Sequence, residues 1–224
     1  MAIRYKKILI YTLISLLVLL VSVVTFWFVY NANADQQQRV SPPYRMNEKD
    51  VALLQDGDII LRRGYGLVSD MIGETLSEKY DVSHVAIIRK EADTFKVIQT
   101  ISSSISDFDG MQCQSLQSFV HDSKINSVVV VRYKHKNSTK DNSYISNSAQ
   151  AYLDRKVPFD ESFDLKDTTT LFCSELVYRV ILKEYKDDIF DKIDKGSVNK
   201  LGFVPFFDTS RFDVILNHQL KKKK

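Results

Sequence analysis

Leu171-Phe172-Cys173-Ser174-Glu175-Leu176-Val177-Tyr178 sets a thiol directly ahead of the most regular helical pattern in the chain. Leu176, Val177, Val180, Ile181 and Tyr185 fall on one face, which predicts a helix over Ser174–Tyr185. A thiol at a helix N-terminus meets the positive end of the peptide dipoles and several N–H groups without an intrahelical partner. Both favour thiolate, and the same N–H groups suit the oxyanion of a tetrahedral intermediate. Such a nucleophile also needs a base. Of the four histidines, His121 and His135 stand in polar surroundings and His218 lies near the C-terminal tail. His84 differs, because Ser83-His84-Val85-Ala86-Ile87-Ile88 puts it at the mouth of an apolar strand. Phe95–Ile101 alternates and pairs with that strand as a hairpin across the polar turn 91–94. Gln99 on the second strand is then placed to accept a hydrogen bond from the imidazole and orient it.

Composition alone leaves other readings open. A cysteine ahead of a helix is also a common core residue. Two cysteines, Cys113 and Cys173, also fit a disulfide if the body lies in an oxidising compartment. No close Cys/His pair has metal-ligand spacing, so neither a metal nor another cofactor is expected.

Around these strings the body reads as mixed α and β. Asp58–Arg62 is a short apolar strand after Gly57, and Leu67–Leu76 has helical spacing. Leu116–Val120 reads as a short helix, Ser127–Tyr133 as a buried strand, and Asn142–Leu153 as a helix. A loop spans 155–170, and Phe212–Leu216 is a last strand. Regular βαβ alternation is missing, which favours an α+β body with a small, largely antiparallel sheet.

The 224 residues suggest one domain with appendages. Residues 1–7 carry Arg4, Lys6 and Lys7 with no acid, and Ile8–Tyr30 runs 23 residues without a charge. An apolar helix of ~20 residues spans the hydrocarbon core. Trp27 and Tyr30 suit the far interface, and the preceding positive charges keep the N-terminus cytoplasmic and the body outside. A cleaved signal segment is the competing reading: Ala32-Asn33-Ala34 fits a cleavage site, against an apolar run longer than the usual ~7–15 residues. Residues 31–50, with Pro42-Pro43, read as a linker, 51–217 as the folded domain, and 218–224 as a basic tail. Of 31 basic side chains, three precede the apolar run and four are Lys221–Lys224, leaving 24 in the body against 28 acidic ones. A slightly acidic body argues against a nucleic-acid partner, which wants a basic face.

Gly57-Asp58-Ile59-Ile60-Leu61-Arg62, Ser83-His84-Val85-Ala86-Ile87, Val157-Pro158-Phe159-Asp160 and Phe172-Cys173-Ser174-Glu175-Leu176-Val177 follow one another in this order. The set resembles the circularly permuted papain-like amidases, the YiiX/YaeF group related to the NlpC cell-wall peptidases, over roughly Val51 to Val214. The resemblance implies a papain-like α+β fold with histidine ahead of cysteine in the chain. It implies Cys173 as nucleophile, His84 as base, and amide hydrolysis through an acyl-enzyme. An acidic residue is common in the family where this chain has Gln99. Gly57 and Asp58 match an opening turn and read as structural, and Asp160 lies in a loop near the site. Cell-wall peptides or related amides are the expected substrates. Alternatives are a lipid-directed thiol acyl hydrolase or acyltransferase, and a non-catalytic binding module on the same fold.

Overall fold

The computed structural model describes residues 2–76, 79–106, 108–135, 139–194, 196–197 and 202–219. It divides into two units, Met1–Val40 and Ser41–Lys224. The first is a helix, α1 (Ala2–Val40). Its stretch Tyr5–Val40 has a mean hydropathy of 2.7 over its most apolar window and is long and apolar enough to cross a membrane. The helix continues through 31–40, where the composition suggests a linker. Ala32, Ala34, Gln36, Gln37 and Gln38 favour helix, and nothing stops it until Ser41, which precedes Pro42-Pro43 and is pushed out of the helical region by the proline ring.

The second unit is built on a six-stranded sheet ordered β4-β3-β2-β1-β5-β6, with every neighbouring pair antiparallel. The strands are β1 (Ile59–Arg62), β2 (His84–Glu91), β3 (Thr94–Ile101), β4 (Gly110–Ser115), β5 (Val129–Tyr133) and β6 (Phe212–Asn217). The helices are α2 (Glu48–Val51), α3 (Leu67–Leu76), α4 (Leu116–His121), α5 (Ser143–Asp154) and α6 (Cys173–Tyr185), with a 3-10 turn at Val204–Phe207. The expected α+β architecture with an antiparallel sheet is what the chain adopts.

Side-chain alternation sorts the sheet into two apolar faces. Ile59, Leu61, Val85, Ile87, Ile98, Val129 and Val131 pack with Ile145 and Ala149 of α5 and with Leu176, Val177, Val180 and Ile181 of α6. Ile60, Ala86, Ile88, Val97 and Val130 pack on the other face with Leu116, Phe119 and Val120 of α4 and with Tyr44, Met46 and Leu54. Both faces of β1 and β5 are covered, which explains their unbroken apolar runs where a half-exposed strand would alternate.

Tyr44 and Met46, in the expected linker, are thus part of the second core, and α2 follows them with Asn47 as its cap. His218, placed with the tail by its position, is buried: Nε2 meets Asp50 Oδ2 at 2.9 Å and Nδ1 meets the Tyr44 hydroxyl. The body therefore begins before residue 51 and extends past 217. Lys221–Lys224 lie outside the described residues. The strand absent from the sequence reading is β4, an edge strand whose Gln112, Gln114 and Ser115 mask its alternation.

Two contacts fix the domain's opening turn. Gly57 has φ +81°, and a Cβ there would stand 1.8 Å from the Asn142 carbonyl oxygen. Fully buried Asp58 takes two hydrogen bonds from Arg132, at 2.7 and 2.8 Å, and one from the Gln55 N–H. Both residues are structural, as their place in the motif implies.

Candidate active site

The nucleophile candidate sits where two strands part. β2 and β3 pair from Glu91↔Thr94 to Ile87↔Ile98 and no further, so Val85 and Thr100, two steps along the register, are not paired with each other, although each remains paired with its other neighbour, β1 or β4. The chain entering α6 uses both. Thr100 Oγ1 donates to the Leu171 carbonyl at 3.1 Å, and the Val85 N–H lies against Cys173 Sγ. Leu171 N–H donates to Pro158 O, and Asp160 N–H to Leu171 O. Cys173 is the first residue of α6, after Phe172 in extended conformation. Its own N–H and that of Ser174 also face the sulfur. All three N–H groups favour thiolate, but burial outweighs them and pushes the thiol up to about 11. The resting side chain is a thiol, and the expectation of a thiol pKa lowered by the helix N-terminus is reversed by desolvation.

The segment ahead of the thiol is locked from both sides. Glu175, buried in the first turn of α6, accepts from Phe172 N–H at 3.5 Å and from Arg179 at 2.7 and 2.9 Å. Arg179 donates in turn to the Leu165 and Asp167 carbonyls, so one guanidinium ties the 160s loop to the helix. Burial raises the Glu175 carboxyl to about 7 against the pull of Arg179. Buried Asp160 spends its carboxylate on Ser162 and on the Asp164 N–H, closing its own turn.

His84 begins β2 opposite Arg62 of β1. Its Nε2 meets Gln99 Oε1 at 2.8 Å, the contact the hairpin predicts. With Nε2–H donating to that oxygen, Nδ1 keeps its lone pair. The ring lies 6.0 Å from the Phe119 ring, on the α4 face. Burial first, then the positive charge of Arg62, drive the imidazole down to about 3, with Gln99 opposing weakly. His84 is therefore neutral at physiological pH.

The structure brings His84 and Gln99 into contact and puts Cys173 Sγ against the amide that follows His84. Among the described residues no hydrogen bond joins the Cys173 and His84 side chains themselves. The ring lies on the α4 face of the sheet and the thiol belongs to α6 on the other face, both at the end of β2 that begins with His84. Both cysteines are free: Cys113 is exposed on edge strand β4, so the disulfide alternative does not hold. His121 stands exposed beside Asp122 at 3.5 Å, and His135 stacks on Tyr185. A cleft of about 450 Å³, lined by Arg132, Tyr133, His135, Asp141 and Asn142 among others, lies at the opposite end of the sheet and contains none of Cys173, His84 and Gln99. Two groups escaped the sequence reading. The Val85 N–H carries no side-chain signal, and Arg62 looks like the ordinary charged end of an apolar strand.

A family model for permuted papain-like amidases, the YaeF/YiiX, C92 family, matches residues 53–199. The fold is similar to the crystal structure of the metalloprotein yiiX from Escherichia coli O157:H7, with a TM-score of 0.54 and 17% identity over 73% of this chain and 97% of that one. No match was found among curated proteins. Among the described residues, no group of three or more His, Cys, Asp or Glu side chains is gathered as a metal site requires. The order of strands and helices, His84 ahead of Cys173, and the matched span agree: this chain belongs to the permuted papain-like amidase family.

Proposed function

We propose that the protein is a membrane-anchored thiol amidase in which Cys173 is the nucleophile, His84 the general base and Gln99 the residue that orients the base. The observation that supports this reading is that Cys173 Sγ faces the N–H of Val85, the residue next to His84, whose ring is held by Gln99. Because the thiol and the imidazole are both neutral at rest, the thiol loses its proton as it attacks. His84 Nδ1 takes that proton while sulfur bonds to the substrate carbonyl carbon, and negative charge moves to the carbonyl oxygen. The N–H groups at the start of α6 are the available donors for that oxygen. Collapse breaks the C–N bond, and the imidazolium returns the proton to the departing amine. Water then hydrolyses the acyl-enzyme, again through His84.

The apolar helix α1 supports an anchor, with the body on the extracytoplasmic side according to the positive charges that precede the run. Cell-wall peptides are accessible there and are amides of the right class. A lipid-directed acyl hydrolase is the second reading. It draws on Ile105 and Phe108, exposed apolar side chains in the loop joining β3 to β4 at the same end of the sheet.

The test is turnover by the full chain in detergent, offered cell-wall stem peptides in one arm and acyl esters and acyl amides of phospholipids in the other. Release of amine from the peptides, lost in Cys173→Ala and in His84→Ala, supports the amidase. Turnover of lipids alone moves the assignment to the second reading. Binding that survives Cys173→Ala with no turnover of either class leaves a non-catalytic module.

A further inference from the structure

Arg62 ends β1 as the cross-strand partner of His84 and shares its face of the sheet. The residue is 8% exposed, and its guanidinium lies over the Phe119 ring at 4.3 Å, the same ring that flanks His84. One hydrogen bond engages it, from Nη1 to the Phe119 carbonyl at 3.2 Å. Nε is buried with no partner, and no carboxylate lies within ion-pair distance among the described residues. Asp122, the acid whose charge reaches it, is half-exposed and set beside His121. A buried guanidinium that is unpaired is costly, because removal from water is repaid only by an opposite charge or a full set of acceptors. Arg63, next in the chain, shows the ordinary solution: Asp70 at 2.8 Å and Asp81 at 3.1 Å.

We propose that Arg62 is a receptor for a carboxylate of the substrate, received on the unpartnered Nε side of the guanidinium beside His84. This rests on the reading of Cys173 and His84 as the reactive pair, and it specifies the substrate class: an amide carrying a free carboxylate close to the scissile carbonyl. The Nε edge presents two parallel N–H groups whose spacing matches a carboxylate's oxygens. The acidic balance of the body, 24 basic against 28 acidic side chains, offers no general attraction for anions, so selectivity for them must come from a specific site. A seated carboxylate also offsets the positive charge facing the imidazole. The groups around that ring are Arg62 from β1, Gln99 from β3, Phe119 from α4 and, farther off, Asp122. None supplies a close negative charge, so the substrate would supply it and make His84 a stronger base when the scissile bond is in place.

The test compares two alkylating agents of equal size on the full chain in detergent, with Cys113 as internal reference. Iodoacetate carries a carboxylate and iodoacetamide does not. Cys173 is expected to react with iodoacetate at least tenfold faster, relative to Cys113, and acetate is expected to protect it. Arg62→Met should erase the preference, and Arg62→Lys should keep part of it. Equal or slower reaction with iodoacetate in the unaltered protein overturns the carboxylate site while the iodoacetamide rate still reports the thiol by itself. A second measurement avoids both the thiol and any folding defect of the variants: the His84 ring ¹³C resonance, followed as acetate is added to the unaltered protein, should shift and saturate. No saturable shift overturns the proposal, as does inorganic phosphate that binds more tightly than acetate.

Discussion

The thiol's burial can be measured directly through the pH dependence of its alkylation. A Cys173 pKa of about 11 means that roughly one molecule in 10⁴ carries thiolate at pH 7, against about 3% for an ordinary thiol near 8.5. The more basic thiolate is intrinsically the better nucleophile, by roughly tenfold for a Brønsted slope of ~0.45 over this difference. The net expectation is labelling by iodoacetamide about 20- to 30-fold slower than a free thiol at pH 7. The rate should rise about tenfold per pH unit through pH 10 and level off near 11. His84→Ala should change this rate by less than about threefold at neutral pH, since a neutral ring lends the thiolate no charge, yet cost turnover on the order of 10²–10⁴. The assay is mass-mapped labelling of Cys173 in the full chain from pH 6 to 11. A plateau beginning near pH 7, or a large loss of labelling in His84→Ala, would refute the reasoning. Either would mean a preformed thiolate–imidazolium pair, with the N–H groups of Val85, Cys173 and Ser174 prevailing over burial.

The depressed His84 pKa ties stability to acid. Its folded value, about 3, lies below the unfolded 6.5, so the unfolded chain binds the extra proton. The stability it contributes is present above 6.5 and is lost as pH falls toward 3. About 3 kcal/mol of it should disappear between pH 7 and pH 4, and urea midpoints should show a shallower acid slope in His84→Gln. Gly57→Ala forces a side chain into φ +81° and against the Asn142 carbonyl, and should cost about 2–4 kcal/mol in the same assay. Arg132→Met strands the buried Asp58 carboxylate and should cost about 3–5 kcal/mol, partly recovered when Asp58→Asn is added. Thr100→Val removes the hydroxyl that holds the Leu171 carbonyl two residues before the thiol. It should lower kcat more than it raises KM, with little change in the urea midpoint.

The fold was legible wherever apolar spacing was strong. Leu67–Leu76 matches α3 at both ends, and the β2–β3 hairpin and α6 fall within a residue or two of their expected positions. Reading failed where chemistry did not depend on side-chain type. Edge strand β4 alternates between buried Met111 and polar Gln112, Gln114 and Ser115, a weak pattern that propensity misses. The entry to the body at Tyr44 and Met46 is apolar at only two positions and depends on contacts with α4 and His218 from far along the chain. The thiol illustrates the same limit inside the site. Its helix-terminal position shows in sequence and argues for a low pKa, whereas its burial depends on how β2 and β3 part around it and argues more strongly for a high one.

Gln99, where an acid could have stood, and Arg62 beside His84 both act in one direction. An acid next to His84 would stabilise the imidazolium, while Gln99 can only orient it, and Arg62 repels it. With the thiol near 11 and the ring near 3, forming the ion pair in the empty site costs on the order of 10 kcal/mol. A large part of any barrier would then be spent before a bond is made, unless the substrate changes the balance. Under the proposed roles of His84 and Arg62, selectivity and activation share one cause. The group that would recognise the substrate is the same cation that suppresses the base in its absence, so a ligand without negative charge should bind poorly and, once bound, react slowly. Among amides matched in size, the loss of a carboxylate should therefore lower kcat as well as raise KM. An effect confined to KM would show that Arg62 positions the substrate without governing the base.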